Sequence, residues 1–295
     1  MLTTNNTVIG FIGTGVMGKS MAGHLLKAGY KVVIYSRTKE KASELLESGA
    51  IWKDSVANLA KEANVIITIV GYPSDVEEVY LGENGVLNNA MKGTYIIDMT
   101  TSTPSLAKEI FRQAKERDIN SLDAPVSGGD VGAKEARLTI MVGGEERAYN
   151  ACLPVLECMG HNIVLQGDAG AGQHTKMCNQ IAIASNMIGV SEAMAYATKA
   201  GLNPENVLKS ISFGAAGSWS LSNLAPRMIV GDFEPGFYVK HFIKDMQIAL
   251  DEAELMDMNT PGLELAKSLY EELANLGEEN SGTQALFTLL SKKTF

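Results

Sequence analysis

Three short stretches hold most of the reactive side chains of this 295-residue chain. In Lys176-Met-Cys-Asn179-Gln180, residues three and four apart share a helix face, so the lysine and both amides project together. A lysine held there can move a proton to or from a bound carbonyl or hydroxyl oxygen, provided its surroundings lower a free pKa near ~10.4. The same residues also read as an exposed first turn with an ordinary lysine. Ile183 and Met187 continue along the face as core, the pattern of a helix that enters an interior from a cleft. The second stretch, Asp123-Ala-Pro-Val-Ser127-Gly128-Gly129, follows a strand, at the carboxyl end where open α/β sheets keep their ligands. The third is Lys244-Asp245 in a later helix. The four histidines, His24 among them, lack metal-ligand spacing and read as solvated or packed imidazoles.

A fourth stretch binds rather than reacts. Gly13-Thr14-Gly15-Val16-Met17-Gly18 begins where an apolar run ends and an amphipathic one starts. Bare, G-x-G-x-x-G is weak; between a strand and a helix it predicts a turn that admits a pyrophosphate to the helix N-terminus. At the end of the next strand, NAD sites usually place an acidic residue; here Ser36-Arg37-Thr38 offers a guanidinium and hydroxyls suited to a 2′-phosphate. NADP(H) is therefore favoured, with NAD(H) still allowed because an arginine can also stack on adenine without selecting.

The elements that must position these residues follow from periodicity. Strands are predicted at Val8–Ile12, Lys31–Tyr35, Asn64–Val70, Thr94–Met99 and Asn120–Asp123, with two more at Ala136–Val142 and Asn162–Leu165. Helical stretches such as Lys19–Ala28 and Lys39–Ser48 alternate with them, which means a mostly parallel, doubly wound sheet covered on both faces. After Gly170 the strand signals give way to helices at Gln173–Ala200, Pro204–Ser212, Tyr238–Asp257 and Pro261–Leu276. The expected division is a dinucleotide-binding α/β Rossmann domain over 1–168 and an all-α domain over 169–295. The small-residue run Gly167–Gly172 is the natural junction, and the second domain opens with a long interdomain helix.

Composition narrows the classes. With 45% hydrophobic and 20% charged residues the chain buries a sizeable core. A net charge of −9 leaves no positive field for nucleic acid. Three cysteines without a CxxC suit a reducing cytoplasm, and no signal peptide or membrane span is visible. Ile181–Ala197 is apolar on most sides, so a partner subunit is expected to cover it, giving a homodimer or homotetramer.

Together with Asp98-Met-Thr-Thr101, these motifs resemble the β-hydroxyacid dehydrogenase family, in order and over essentially the whole chain. The resemblance implies a Rossmann domain followed by a helical one, and reversible hydride transfer between the cofactor and a small carboxylate-bearing semialdehyde or hydroxy acid. It implies Lys176 as general acid and base, and Ser127, Gly128 and Gly129 as substrate-binding. Asn179 or Gln180 takes the substrate-binding role of the family asparagine. Thr101 falls near the nicotinamide, and Lys244, with Asp245 beside it, near nicotinamide and substrate. Val70 and Gly71 stand where the family commonly has Leu-Pro, so contact there is through backbone. Imine reductases on the same scaffold usually replace the lysine with Asp or Tyr, and silent NADP-binding relatives lack it; Lys176 argues against both.

Overall fold

The computed structural model describes residues 2–292 and divides into two compact units at Lys176/Met177. In the first unit the β-branched runs form β1 (Val8–Ile12), β2 (Lys31–Tyr35), β3 (Ile51–Trp52), β4 (Val65–Thr68), β5 (Tyr95–Asp98), β6 (Asn120–Asp123), β7 (Val126–Ser127), β8 (Leu138–Gly144) and β9 (Gly160–Gly167). They make one nine-stranded sheet in the order β3-β2-β1-β4-β5-β6-β8-β7, with β9 on β8. From β3 to β6 every pairing is parallel. The chain builds outward from β1 to β3 and then returns to place β4 on the other side of β1. That reversal opens a crevice at the carboxyl ends of β1 and β4.

Successive side chains of a strand face opposite ways. Phe11, Ile34 and Ile67 pack with Met21 and Leu25 on one side. Val33, Ile66 and Ile96 pack with Leu59, Val76 and Tyr80 on the other. Burial of both faces is why these strands read as continuous apolar runs.

The sheet is mostly parallel, as expected; β8 is the exception, running antiparallel to β6 and β7. The Gly128–Arg137 connection is spanned by a short helix, Gly129–Lys134, and is too brief to carry the chain back for a parallel partner. β4 stops at Thr68, not at Val70 as expected, so Val70 and Gly71 lie in the loop beyond it. β3 and β7, of two residues each, carry no periodic signal.

In the second unit, helices Pro204–Ile211, Val239–Leu255 and Pro261–Leu273 surround a core that includes Met187, Met194, Phe242, Met246 and Tyr270. The 29-residue helix Ala171–Lys199 contains the boundary between the units. As expected for its inward face, Met187 is buried; Ile183 is partly so. No helix among the described residues is long and apolar enough to cross a membrane, and no cluster of metal-ligating side chains occurs among them.

Candidate functional site

β1 delivers the glycine loop at its carboxyl end, and each glycine answers a different constraint. Gly13 has φ +98°, and a Cβ there would lie 2.1 Å from the Ile69 carbonyl oxygen. A Cβ on Gly18 would lie 1.9 Å from the Gly13 oxygen, so helix Val16–Lys27 can pack on the strand only through glycine. Gly15, the residue before that helix, is different: a Cβ there would meet nothing within 4 Å. No packing within the protein demands a glycine at that position, whereas the close approach of a pyrophosphate would. Beside it Thr14 Oγ1 is buried with no hydrogen-bond partner among the described residues. The loop therefore fits a dinucleotide. Met17 is half-buried and Val16 exposed at the start of the helix.

At the end of β2, Ser36 is half-buried and Arg37 and Thr38 are exposed. The acidic residue missing from this strand end arrives from another element. Asp75 accepts from Arg37 Nη1 at 3.0 Å, and its other oxygen accepts from the Tyr72 N–H at 3.1 Å, capping helix Pro73–Leu81.

Beyond β4 and β5 the loops are tied together. The Val70 N–H donates to Thr100 Oγ1 at 3.0 Å, and the Thr100 N–H donates to the buried Asp98 at 3.0 Å. Gly71 and Thr101 are half-buried on these loops. Gln173, fully buried, accepts from the Ser102 N–H at 3.0 Å and donates to the Thr100 carbonyl at 2.7 Å. Asp123 completes the frame: one oxygen accepts from the Gly170 N–H at 2.7 Å, the other from the Gln173 N–H at 2.9 Å. Burial pushes this carboxyl above its ordinary 3.8, while the amide donors pull it back. The carboxylate thus satisfies N–H groups that the start of helix Ala171–Lys199 would otherwise leave without partners.

The structural roles of Asp123 and Gln173 escape a reading by motif. The available signal is the run Gly170-Ala-Gly172, part of the small-residue junction, which makes a close contact. A Cβ on Gly172 would lie 2.4 Å from the Met141 oxygen and 2.6 Å from that of Asp123.

Lys176 sits on the second turn of the helix so anchored and is 7% exposed. Ser127 ends β7, and Gly128 and Gly129 turn the chain with φ of +131° and +63° into the Gly129–Lys134 helix. On the second unit's part of the long helix, Asn179 Nδ2 donates to Gln180 Oε1 at 2.7 Å, and Gln180 Nε2 donates to Asp245 at 2.6 Å. Asp245 in turn pairs with Lys244 at 2.9 Å. A carboxylate only accepts, so Asp245 dictates which way Gln180 is turned, and Gln180 dictates the turn of Asn179. Gln180 and Asp245 are each 1% exposed and engaged with one another. Half-buried Asn179 keeps its Oδ1 and one amide hydrogen outside this chain of bonds.

Comparison with known proteins places both units in a family. Residues 8–167 match the NAD-binding domain of 6-phosphogluconate dehydrogenase, and residues 170–290 match the NAD-binding domain of NADP-dependent 3-hydroxyisobutyrate dehydrogenase. The chain is 69% identical over 284 residues to the uncharacterised oxidoreductase YkwC of Bacillus subtilis, covering 96% of this chain and 99% of that one. It is 38% identical over 276 residues to 2-hydroxy-3-oxopropionate reductase of Escherichia coli, covering 94% and 93%. Among solved structures, the 3-hydroxyisobutyrate dehydrogenase of Mycobacterium tuberculosis with L-serine superimposes with a TM-score of 0.87 at 31% identity, covering 96% and 99%.

Proposed function

Because the chain belongs to the 3-hydroxyisobutyrate dehydrogenase family of β-hydroxyacid dehydrogenases, and is therefore an NAD(P)-binding oxidoreductase, we propose that it interconverts a small β-hydroxy acid and its semialdehyde, using NADP(H) and with Lys176 as the proton donor and acceptor. The observation that carries the reading is the buried Lys176 on a helix whose first turn is fixed by Asp123 and Gln173.

The bound nicotinamide supplies the hydride chemistry. Gly13, Gly15 and Gly18 hold the pyrophosphate with their loop, Thr14 supplies a hydroxyl, and Val70, Gly71 and Thr101 line the cofactor further in. Arg37, with Ser36 and Thr38, takes the 2′-phosphate and keeps Asp75 as its second partner. Ser127 and the amides of Gly128 and Gly129 hold the substrate carboxylate, and Lys244 adds a positive charge near it. Asn179 bonds the carboxylate or hydroxyl. In reduction, protonated Lys176 gives its proton to the oxygen of the former carbonyl; in oxidation, the neutral amine removes it from the hydroxyl. A small aldehyde or ketone bearing a carboxylate is thereby chosen over a neutral one.

The test is turnover by the purified chain. NADPH consumption with 2-hydroxy-3-oxopropionate and NADP+ reduction with 3-hydroxyisobutyrate are compared with the same reactions on uncharged aldehydes, and all are repeated with the NAD(H) pair. The expected result is turnover confined to carboxylate-bearing compounds, with higher kcat/KM for NADP(H). Arg37→Ala should narrow that preference by roughly tenfold to a hundredfold, the loss of one charge-assisted hydrogen bond. Equal use of charged and neutral aldehydes would sink the substrate reading, and an unchanged preference in Arg37→Ala would sink the cofactor reading.

A further inference from the structure

His24 lies in helix Val16–Lys27, whose first residues belong to the glycine loop, and its side chain crosses to another element. Its Nε2 is 2.9 Å from the Ala133 carbonyl oxygen and 3.1 Å from that of Lys134. Carbonyl oxygens only accept, so Nε2 carries the hydrogen and donates to both. These carbonyls lie in the last turn of the helix Gly129–Lys134, where the Ala133 carbonyl also accepts from the Ala136 N–H at 3.5 Å, so that His24 adds the shorter bond. Two residues further on, Ala136 takes a left-handed φ of +53° and turns the chain away.

That six-residue helix has little stability of its own. It is too short to propagate, and it contains Gly129 and Gly132. Its Asp130–Lys134 ion pair is largely exposed and adds little. Outside supports must therefore fix it. At the start, Val126 and Ser127 pair with Ile140 and Thr139 of β8. At the far end, buried Ala133 and the Arg137 N–H bond to the Gly132 carbonyl hold the turn locally, and His24 ties it to helix Val16–Lys27.

We propose that His24 is a positioning residue that holds the Ser127–Gly129 turn in place from the helix that carries the cofactor loop, so that the seat of the substrate carboxylate and the seat of the pyrophosphate share one frame. The proposal rests on the reading of Ser127–Gly129 as the carboxylate seat. It predicts that a lost imidazole raises KM for the acid more than it lowers kcat, because Lys176 is untouched. It also predicts that an amide donor of similar reach restores the loss.

The experiment compares wild type, His24→Ala and His24→Gln as full-length proteins. Amide hydrogen exchange over residues 128–135, measured without ligands, should be faster in His24→Ala by about five- to tenfold, the equivalent of one net hydrogen bond, and should return toward wild type in His24→Gln. KM for 2-hydroxy-3-oxopropionate should follow the same order, with kcat changed less than KM. Unchanged exchange in His24→Ala overturns the proposal. So does faster exchange with an unchanged KM, or a KM increase that Gln fails to rescue. Ser127→Ala separates this outcome from failure of the underlying reading. If KM is unaffected there, the carboxylate seat is wrong; if it rises there but not in His24→Ala, only His24's role is wrong.

Discussion

A buried lysine and a buried carboxylate meet the cost of burial in different ways. In the proposed reaction Lys176 must give up its proton, so Lys176→Ala should lower kcat by roughly 10² to 10⁴ while NADPH binding, read by fluorescence titration, stays within about threefold of wild type. A variant that kept a third of its activity would remove the lysine from the chemistry. Asp123 needs its oxygens as acceptors. Since burial raises its folded pKa above 3.8, the native state binds a proton more readily than the unfolded chain. Stability conferred by that proton is present below 3.8 and is lost as pH rises through the raised value. Asp123→Asn offers one acceptor oxygen for two N–H groups and should cost about 1 to 3 kcal/mol at neutral pH. In denaturant titrations the wild type should gain on this variant as pH falls through that window; a constant gap would show that the carboxyl does not titrate there.

At the scale of elements, the glycine loop separates two demands that a sequence pattern merges. Gly18→Ala brings a Cβ against the Gly13 carbonyl and should lower the melting temperature as well as cofactor affinity. Gly15→Ala meets no protein atom, so the melting temperature should hold while NADPH binding weakens by tenfold or more, on the order of 1.4 kcal/mol. Equal thermal losses in both variants would mean that Gly15 is also a packing residue. The strand-to-helix context of Gly13–Gly18 and the face shared by Lys176, Asn179 and Gln180 were legible because local periodicity carries them. The way Gln180 and Asn179 are turned was not, because Asp245 sets it from a distant helix. Nor could the carboxylate beside Arg37 be read from the end of β2, since it belongs to Asp75 after β4. The short helix Gly129–Lys134 is invisible for a different reason: glycine-rich and held from outside, it has almost no propensity to read.

For the molecule as a whole, the far side of the long helix sets the expectation. Ala182, Ser185, Gly189, Glu192 and Tyr196 recur at helical spacing and are exposed in a single chain. We expect a second copy to pack against this face through its small residues, giving a homodimer or homotetramer. Light scattering at micromolar concentration should return a multiple of 31.6 kDa. Gly189→Arg, where an added Cβ meets nothing in its own chain, should lower the mass without unfolding the protein. A monomeric wild type would remove the expected oligomer, and a variant of unchanged mass would move the interface elsewhere.

The helix that crosses the boundary between the units also limits how such a chain can be recombined. Residues Ala171–Lys176 belong to the helix by backbone and to the first unit by their bonds: Gln173 answers to Thr100 and Ser102, and the amides at the helix start to Asp123. A chimera joined at the sequence junction near 168–169 would import a foreign first turn and leave Asp123 facing whatever glycine spacing the donor brings. A graft made after Lys176 would inherit the anchor intact and splice in mid-helix, where one turn follows another without regard to its source. Exchange of substrate preference between relatives should therefore survive the later seam and fail at the earlier one, except where the donor itself carries Gly-x-Gly-Gln at its helix start.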